Sequence, residues 1–142
     1  MIKKKLAIFF LLSSLVLATG FLVDIFYRKV VRIDGQNFIA ELPRSQEEYQ
    51  KGLGGRENLC PHCAMLFAFP QKGKYAFWMK DMQFALDILF LADGKIVYIK
   101  KNFAADSAEI ARPLVPADNV LEIGAGLSDR YGFQVGDDVS LY

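Results

Sequence analysis

The pair Asp93-Gly94 does most to limit what this chain can fold into. It stands between two strand-like runs, Leu86 to Leu91 and Lys95 to Lys101. A two-residue hairpin turn needs positive φ, which Asp-Gly accepts readily. With that loop length Ala92 faces Lys95, Leu91 faces Ile96, Leu89 faces Tyr98 and Asp87 faces Lys100. One face then carries Asp87, Leu89, Leu91, Ile96, Tyr98 and Lys100, and the other Ile88, Phe90, Val97, Ile99 and Lys101. A bulge shifts the pairing by one residue and moves every later side chain to the opposite face.

Period-two patterning continues elsewhere. Val30-Val31-Arg32-Ile33 and Phe38 to Leu42 flank a loop at Asp34-Gly35-Gln36-Asn37. Further strands are expected at Met65 to Phe69, Tyr75 to Lys80, Val120 to Ile123 and Asp138 to Tyr142. Ser45 and Glu48 have capping-box spacing, so a short helix starts there and Gly52 ends it. Gly126 to Tyr131, followed by Gly132, gives a second helical turn, and Asn102 to Asp118 reads as a long loop. The fold class is mainly β (α+β): a small barrel or β-roll of about seven or eight short strands with one or two short helices.

The N-terminus addresses the compartment. Lys3-Lys4-Lys5 precedes an apolar run from Leu6 to Val23. Eighteen helical residues span about 27 Å, close to a hydrocarbon core. Residues 1–29 therefore read as a signal peptide cleaved after Ala18 or as an uncleaved membrane anchor, and both place the rest outside the cytoplasm. Residues 30–142 suffice for one globular domain. They hold twelve Lys or Arg against fifteen Asp or Glu, a net of −3, whereas the whole chain is +1. With no basic stripe, nucleic acid is not expected as a partner.

Five places could carry chemistry. Cys60-Pro61-His62-Cys63 resembles a redox loop, but the residues after it are strand-like, so the helix that would stabilise a thiolate is missing. His62 lies inside the loop and is the sole histidine, so a tetrahedral metal site lacks ligands; no metal or cofactor is expected. A structural disulfide between Cys60 and Cys63 fits an oxidising compartment best. In the second place, Phe77 and Met79 read as core, while Trp78 shares its face with Lys80 and suits a cleft edge or a stacking surface; Asp81 follows directly. Asp87 has two readings, a cross-strand ion pair with Lys100 or a partly buried carboxylate of shifted pKa among Leu89 and Leu91. Glu122, alternating with Leu121 and Ile123, is an acid of the same kind or part of a solvated strand face. Finally, Gly52-Leu53-Gly54-Gly55-Arg56 is too irregular for a phosphate loop and reads as a turn, with Arg56 free to pair with a carboxylate elsewhere.

Several of these pieces occur together in one family. Ser45-x-x-Glu48, Gly52-Leu53-x-Gly55-Arg56, Met65-Leu66-Phe67-x-Phe69, Phe77-Trp78-Met79-Lys80, Leu86-Asp87-Ile88, Val120-Leu121-Glu122, Ala125-Gly126 and Gly136-Asp137 resemble the domain-of-unknown-function family 192 over about Phe38 to Val139. The resemblance implies a compact, mainly β prokaryotic domain, often exported, and implies no reaction. Ala64 and Ala85 stand where that family usually has Gly and often Pro, and the cysteine pair is not general to it.

The function expected from these readings is a non-enzymatic module at the cell envelope that binds a small molecule, an envelope polymer or a protein. Its ligand-binding candidates are Trp78, Lys80, Asp81, Asp87, Glu122 and Arg56. The alternative is an enzyme acting on an envelope polymer, with Asp87 as acid or base and Lys80, Trp78 and Asp81 positioning substrate. Thiol redox through Cys60 and Cys63 is a third reading.

Overall fold

The computed structural model describes residues 27–142. The expected signal or anchor lies outside them apart from its last three residues, and no helix among the described residues is long and apolar enough to cross a membrane. The elements are β1 (Arg28–Ile33), β2 (Gln36–Glu41), α1 (Gln46–Lys51), β3 (Cys63–Gly73), β4 (Leu86–Ala92), β5 (Lys95–Phe103), β6 (Ala117–Gly124), α2 (Leu127–Tyr131) and β7 (Val139–Leu141). They form one seven-stranded sheet in the order β5-β4-β6-β3-β2-β1-β7. Its two ends approach each other where Ile96 N–H donates to Asp137 O and Val139 N–H to Gly94 O. One isolated bridge, Lys95 to Asp138, spans that seam. No continuous ladder seals it, so the sheet is a roll and not a closed barrel.

Local chemistry explains most elements. Asp34 and Gly35 take φ of 44° and 80°, so the first hairpin turns on those two residues, and Gln36 and Asn37, expected in the loop, already belong to β2. Ser45 Oγ accepts from Glu48 N–H and Glu48 Oε2 accepts from Arg44 N–H, which caps α1. Gly52 ends the helix with φ +54°, its N–H donating to Glu48 O. Every neighbouring pair of strands is antiparallel except β2 with β3. Parallel neighbours need a crossover. Here α1 and the glycine-rich loop after it supply one.

The Asp93-Gly94 turn forms with two residues, and Ala92 pairs with Lys95 and Leu91 with Ile96 as expected. The register then slips: Phe90 pairs with Tyr98, Leu89 with Ile99 and Ile88 with Lys100. A bulge at Val97 absorbs the extra residue. The expected pairs Leu89–Tyr98 and Asp87–Lys100 are therefore replaced. Side chains beyond the bulge change face, and Tyr98 lies 5.5 Å from the Phe90 ring.

The sheet separates two apolar layers. Inside the roll lie Val31, Phe38, Leu66, Leu89, Leu121 and Phe133 with their neighbours. On the outer face Leu53, Met65, Phe67, Met79, Ile88, Phe90 and Val120 form a second layer. The loops at 74–85 and 104–116 fold over that outer layer. The segment Tyr75 to Lys80, expected as a strand, is irregular and contributes one bridge, Phe77 with Ala111. Every residue of β4 is buried, because it has strands on both sides and apolar layers on both faces. Strand β6, beside it, shares that situation over Val120 to Ile123.

Cys60 and Cys63 form a disulfide at the entrance to β3. The adjacent His62 carbonyl accepts from Ile39 N–H, which ties the loop to β2. A ring this small contributes about 2 kcal/mol by constraining the unfolded chain. Replacing both cysteines by serine should lower the unfolding free energy by about that amount. Denaturant unfolding at fixed pH checks this, and the far-ultraviolet dichroism should keep its β form, because Cys63 is only the end pair of the β2–β3 ladder.

Candidate functional site

Glu122 sits on β6 between Met65 of β3 and Ile88 of β4. Alternation along β6 sends Leu121 and Ile123 into the roll, so Val120 and Glu122 point to the outer layer. That face is covered, and Glu122 is 5% exposed. The solvated-face reading of Glu122 is thereby overturned. Its Oε2 has no hydrogen-bond partner among the described residues. Burial pushes its carboxyl up to about 8, with the Arg56 charge acting in the opposite sense. At neutral pH Glu122 is thus mostly a protonated acid, which can donate as well as accept a hydrogen bond.

Above it lies a cleft of about 200 Å³, lined by Tyr49, Gly52, Phe67, Phe69, Trp78 and Met82 among others. Gly52 forms part of its wall. A Cβ there would stand 3.4 Å from both Glu122 Oε2 and Phe67 Cζ, and φ of +54° already disfavours a side chain. The glycine therefore lets the backbone approach the acid closely. One aromatic series runs from cleft to core: Tyr75 stacks on Phe69 at 3.6 Å, Tyr49 meets Phe69 and Phe67, and Phe67 meets Phe77. The Tyr49 hydroxyl donates to Ala68 O, which fixes its ring.

Trp78 is held from both sides. Phe77 exchanges two backbone hydrogen bonds with Ala111, and Met79 is buried in the outer layer. Trp78 between them must turn outward, and at 48% exposed it borders the cleft. Lys80 and Asp81 are exposed, and what they contribute is backbone. Asp81, with φ of 58°, accepts Gly55 N–H at its carbonyl, and a Cβ on Gly54 would lie 3.1 Å from Lys80 O. Gly54 and Gly55 are thus the seat on which this turn rests.

Asp87 lies elsewhere. It is 0% exposed. Its Oδ1 accepts from Asn102 N–H at 2.7 Å and Gly126 N–H at 3.2 Å, and its Oδ2 from Ser128 N–H at 2.8 Å. The expected partner Lys100 instead pairs with Glu109. Asp87 therefore fastens the start of α2 to the end of β5 and has no free oxygen facing the cleft. Substituting Asp87 by Asn puts an amide hydrogen against one of these N–H donors. It should cost about 2–4 kcal/mol in unfolding free energy, measured by denaturant titration, without changing the cleft.

Arg56 makes a two-pronged pair with Glu41, Nη1 to Oε1 at 3.1 Å and Nη2 to Oε2 at 2.9 Å. That hydrogen bond holds the Glu41 carboxyl below its ordinary range against the opposing effect of burial, and the charges of Arg56, Arg28 and Arg44 add to it. The pair lines a second pocket of about 330 Å³ on the other side of Gly52. Of the sequence candidates, then, the structure brings Glu122 and Trp78 to one cleft and puts Arg56 in the neighbouring pocket. Lys80 and Asp81 form the turn beside them, and Asp87 is on the opposite face. Sequence reasoning missed Tyr49, Phe69 and Tyr75; the aromatic pattern of Phe67, Phe69 and Tyr75 was its one visible signal. Among the described residues no cluster of His, Cys, Asp or Glu suits a metal ion.

The motifs that build these walls are those of a single family. A family model for uncharacterized ACR proteins, domain-of-unknown-function family 192, matches residues 29–141. The chain belongs to this family. Two crystal structures are similar to it in fold. One, from Sinorhizobium meliloti 1021 and named as a candidate transcription regulator, is 31% identical with a TM-score of 0.76, covering 80% of this chain and 93% of that one. The other, a protein of unknown function from Novosphingobium aromaticivorans DSM 12444, is 29% identical with a TM-score of 0.72, covering 80% of this chain and 83% of that one. No curated protein matches.

The acid at the base of the cleft gives this family member a defined pH dependence. The folded state holds Glu122 near 8 against an ordinary value of 4.5, so folding favours its protonated form. The stability this contributes is complete below the lower value and is lost as pH rises through the upper one. Replacing Glu122 by Gln removes that slope. The variant should gain stability relative to the parent as pH rises from about 4.5 to about 8, read from unfolding curves across that range. Parallel curves for the two proteins would show an ordinary, hydrated carboxylate.

Proposed function

We propose that this chain is a non-enzymatic binding module at the cell envelope, and that it takes a ring-bearing segment of an envelope polymer in the Trp78 cleft. One observation carries the reading: Glu122 Oε2 is buried without a partner among the described residues, at the base of a cleft rimmed by aromatic rings. Buried polar atoms are nearly always satisfied. A ligand hydroxyl or amide reaching the base of the cleft completes this one, while its ring lies against Trp78. The basic and apolar start of the sequence supports an extracytoplasmic location. The regulatory role in the name of the Sinorhizobium relative is not adopted, since residues 30–142 carry a net charge of −3 and no basic stripe.

A second reading has its own support. A carboxylic acid held near 8 inside a cleft is suited to general acid catalysis. In an enzyme acting on the polymer, the acid is then Glu122 and not Asp87, whose oxygens are engaged by backbone.

Trp78, the sole tryptophan, provides the assay. Titrating the protein with amino-sugar oligomers should change its fluorescence saturably. Calorimetry should show that Trp78→Ala and Glu122→Leu each weaken binding about tenfold or more, while Glu122→Gln, also neutral and hydrogen-bonding, retains it. Shortening of the oligomer by the parent protein but not by Glu122→Gln would favour the enzyme. The absence of any saturable change would contradict both readings.

A further inference from the structure

The second pocket has its own chemistry. It lies between the start of β1, the end of β2, α1 and the glycine-rich loop, and has a volume of about 330 Å³. Arg28, Arg44, Lys51 and Arg56 line it, against the carboxylates Glu41 and Glu48. Both carboxylates are engaged. Glu41 is gripped by the Arg56 fork, and Glu48 accepts Arg44 N–H. Arg44 packs over the Tyr27 ring at 4.9 Å. Among the described residues Arg28 and Lys51 form no ion pair with a carboxylate. A Cβ on Gly55 would lie 3.8 Å from Lys51 Nζ, so the ammonium group sits over that glycine.

We propose that this pocket binds a phosphate or phosphoester group, held chiefly by Lys51 and Arg28. With Arg56 matched by Glu41, Arg28 and Lys51 bring two positive charges that form no ion pair among the described residues, which suits the charge of about −1.5 to −2 on a phosphate monoester. Guanidinium and ammonium groups supply charge-assisted donors for its oxygens. The glycine-rich loop does not do so. The N–H groups of Gly52, Gly54, Gly55 and Arg56 already donate to Glu48 O, Lys51 O, Asp81 O and Leu53 O. Recognition thus comes from side chains, which is why the loop lacks the pattern of a phosphate loop. The site shares Gly52 with the Trp78 cleft but does not depend on that cleft having a ligand.

Two sources could present this group: a soluble phosphate compound, or a phospholipid headgroup. The lining residues Tyr27 and Arg28 stand shortly after the apolar run that ends at Val23, so the pocket opens where a tethered domain would leave the membrane. The test uses calorimetry with inorganic phosphate and with glycerol phosphate, and sedimentation with phosphatidylglycerol vesicles against phosphatidylcholine vesicles. The parent protein and the Arg28→Ala, Lys51→Ala double variant are compared. Both substituted side chains are exposed, so unfolding curves should coincide. We expect binding by the parent that weakens as salt is raised and falls about tenfold or more in the variant. Binding of the soluble compounds identifies a free phosphoester as the ligand; binding of the anionic vesicles alone identifies a lipid headgroup. Failure of the parent to bind any of these probes, or equal binding by the double variant, overturns the proposal.

Discussion

Strand β6 has no side that faces water over its central residues. Strands β4 and β3 flank it, the roll fills one face, and the outer layer covers the other. Any acid placed there must be hydrogen-bonded, paired or neutral, because an isolated charge in such surroundings is too costly. Glu122 is the acid in that position, and the surrounding structure leaves it neutral. The glycine at the end of α1, the aromatic rings beside it and the cleft they bound are all arranged around a carboxylic acid whose Oε2 no other described residue satisfies.

A second buried acid shows what the alternative looks like. Asp87, on the opposite face of neighbouring strand β4, receives three backbone N–H groups and joins β5 to α2. Its cost of burial is offset within the protein. Asp87 and Glu122 are thus treated oppositely. Structural buried acids are expected to resemble the first; an acid resembling the second retains hydrogen-bonding capacity for something that enters from outside. The contrast, and not burial alone, is what distinguishes a support from a site.

Much of the fold was legible in local sequence. The Asp-Gly turns, the Ser45–Glu48 cap and Gly52 act over a few residues, and each appears where its chemistry puts it. What failed was set by distant parts of the chain. The bulge at Val97 puts Tyr98 beside Phe90 and Ile99 against the inner layer, and nothing in Lys95 to Lys101 announces it. Asp87 is claimed by Gly126 and Ser128, about forty residues on. The burial of Glu122 depends on β6 pairing with β3 and β4, whereas its own alternation with Leu121 and Ile123 suits an exposed face equally well. Trp78 was legible as a cleft residue because its immediate neighbours are core residues, a purely local contrast.

The character of the cleft depends on the protonation state of one side chain. Carbon-13 nuclear magnetic resonance of the Glu122 side-chain carboxyl, followed across a pH titration of the folded protein and assigned with Glu122→Gln, observes it directly. The burial described here gives a titration midpoint of about 8. A midpoint near the ordinary 4.5 would mean that the acid is charged and hydrated at neutral pH, and would contradict the assignment of this cleft as the functional site.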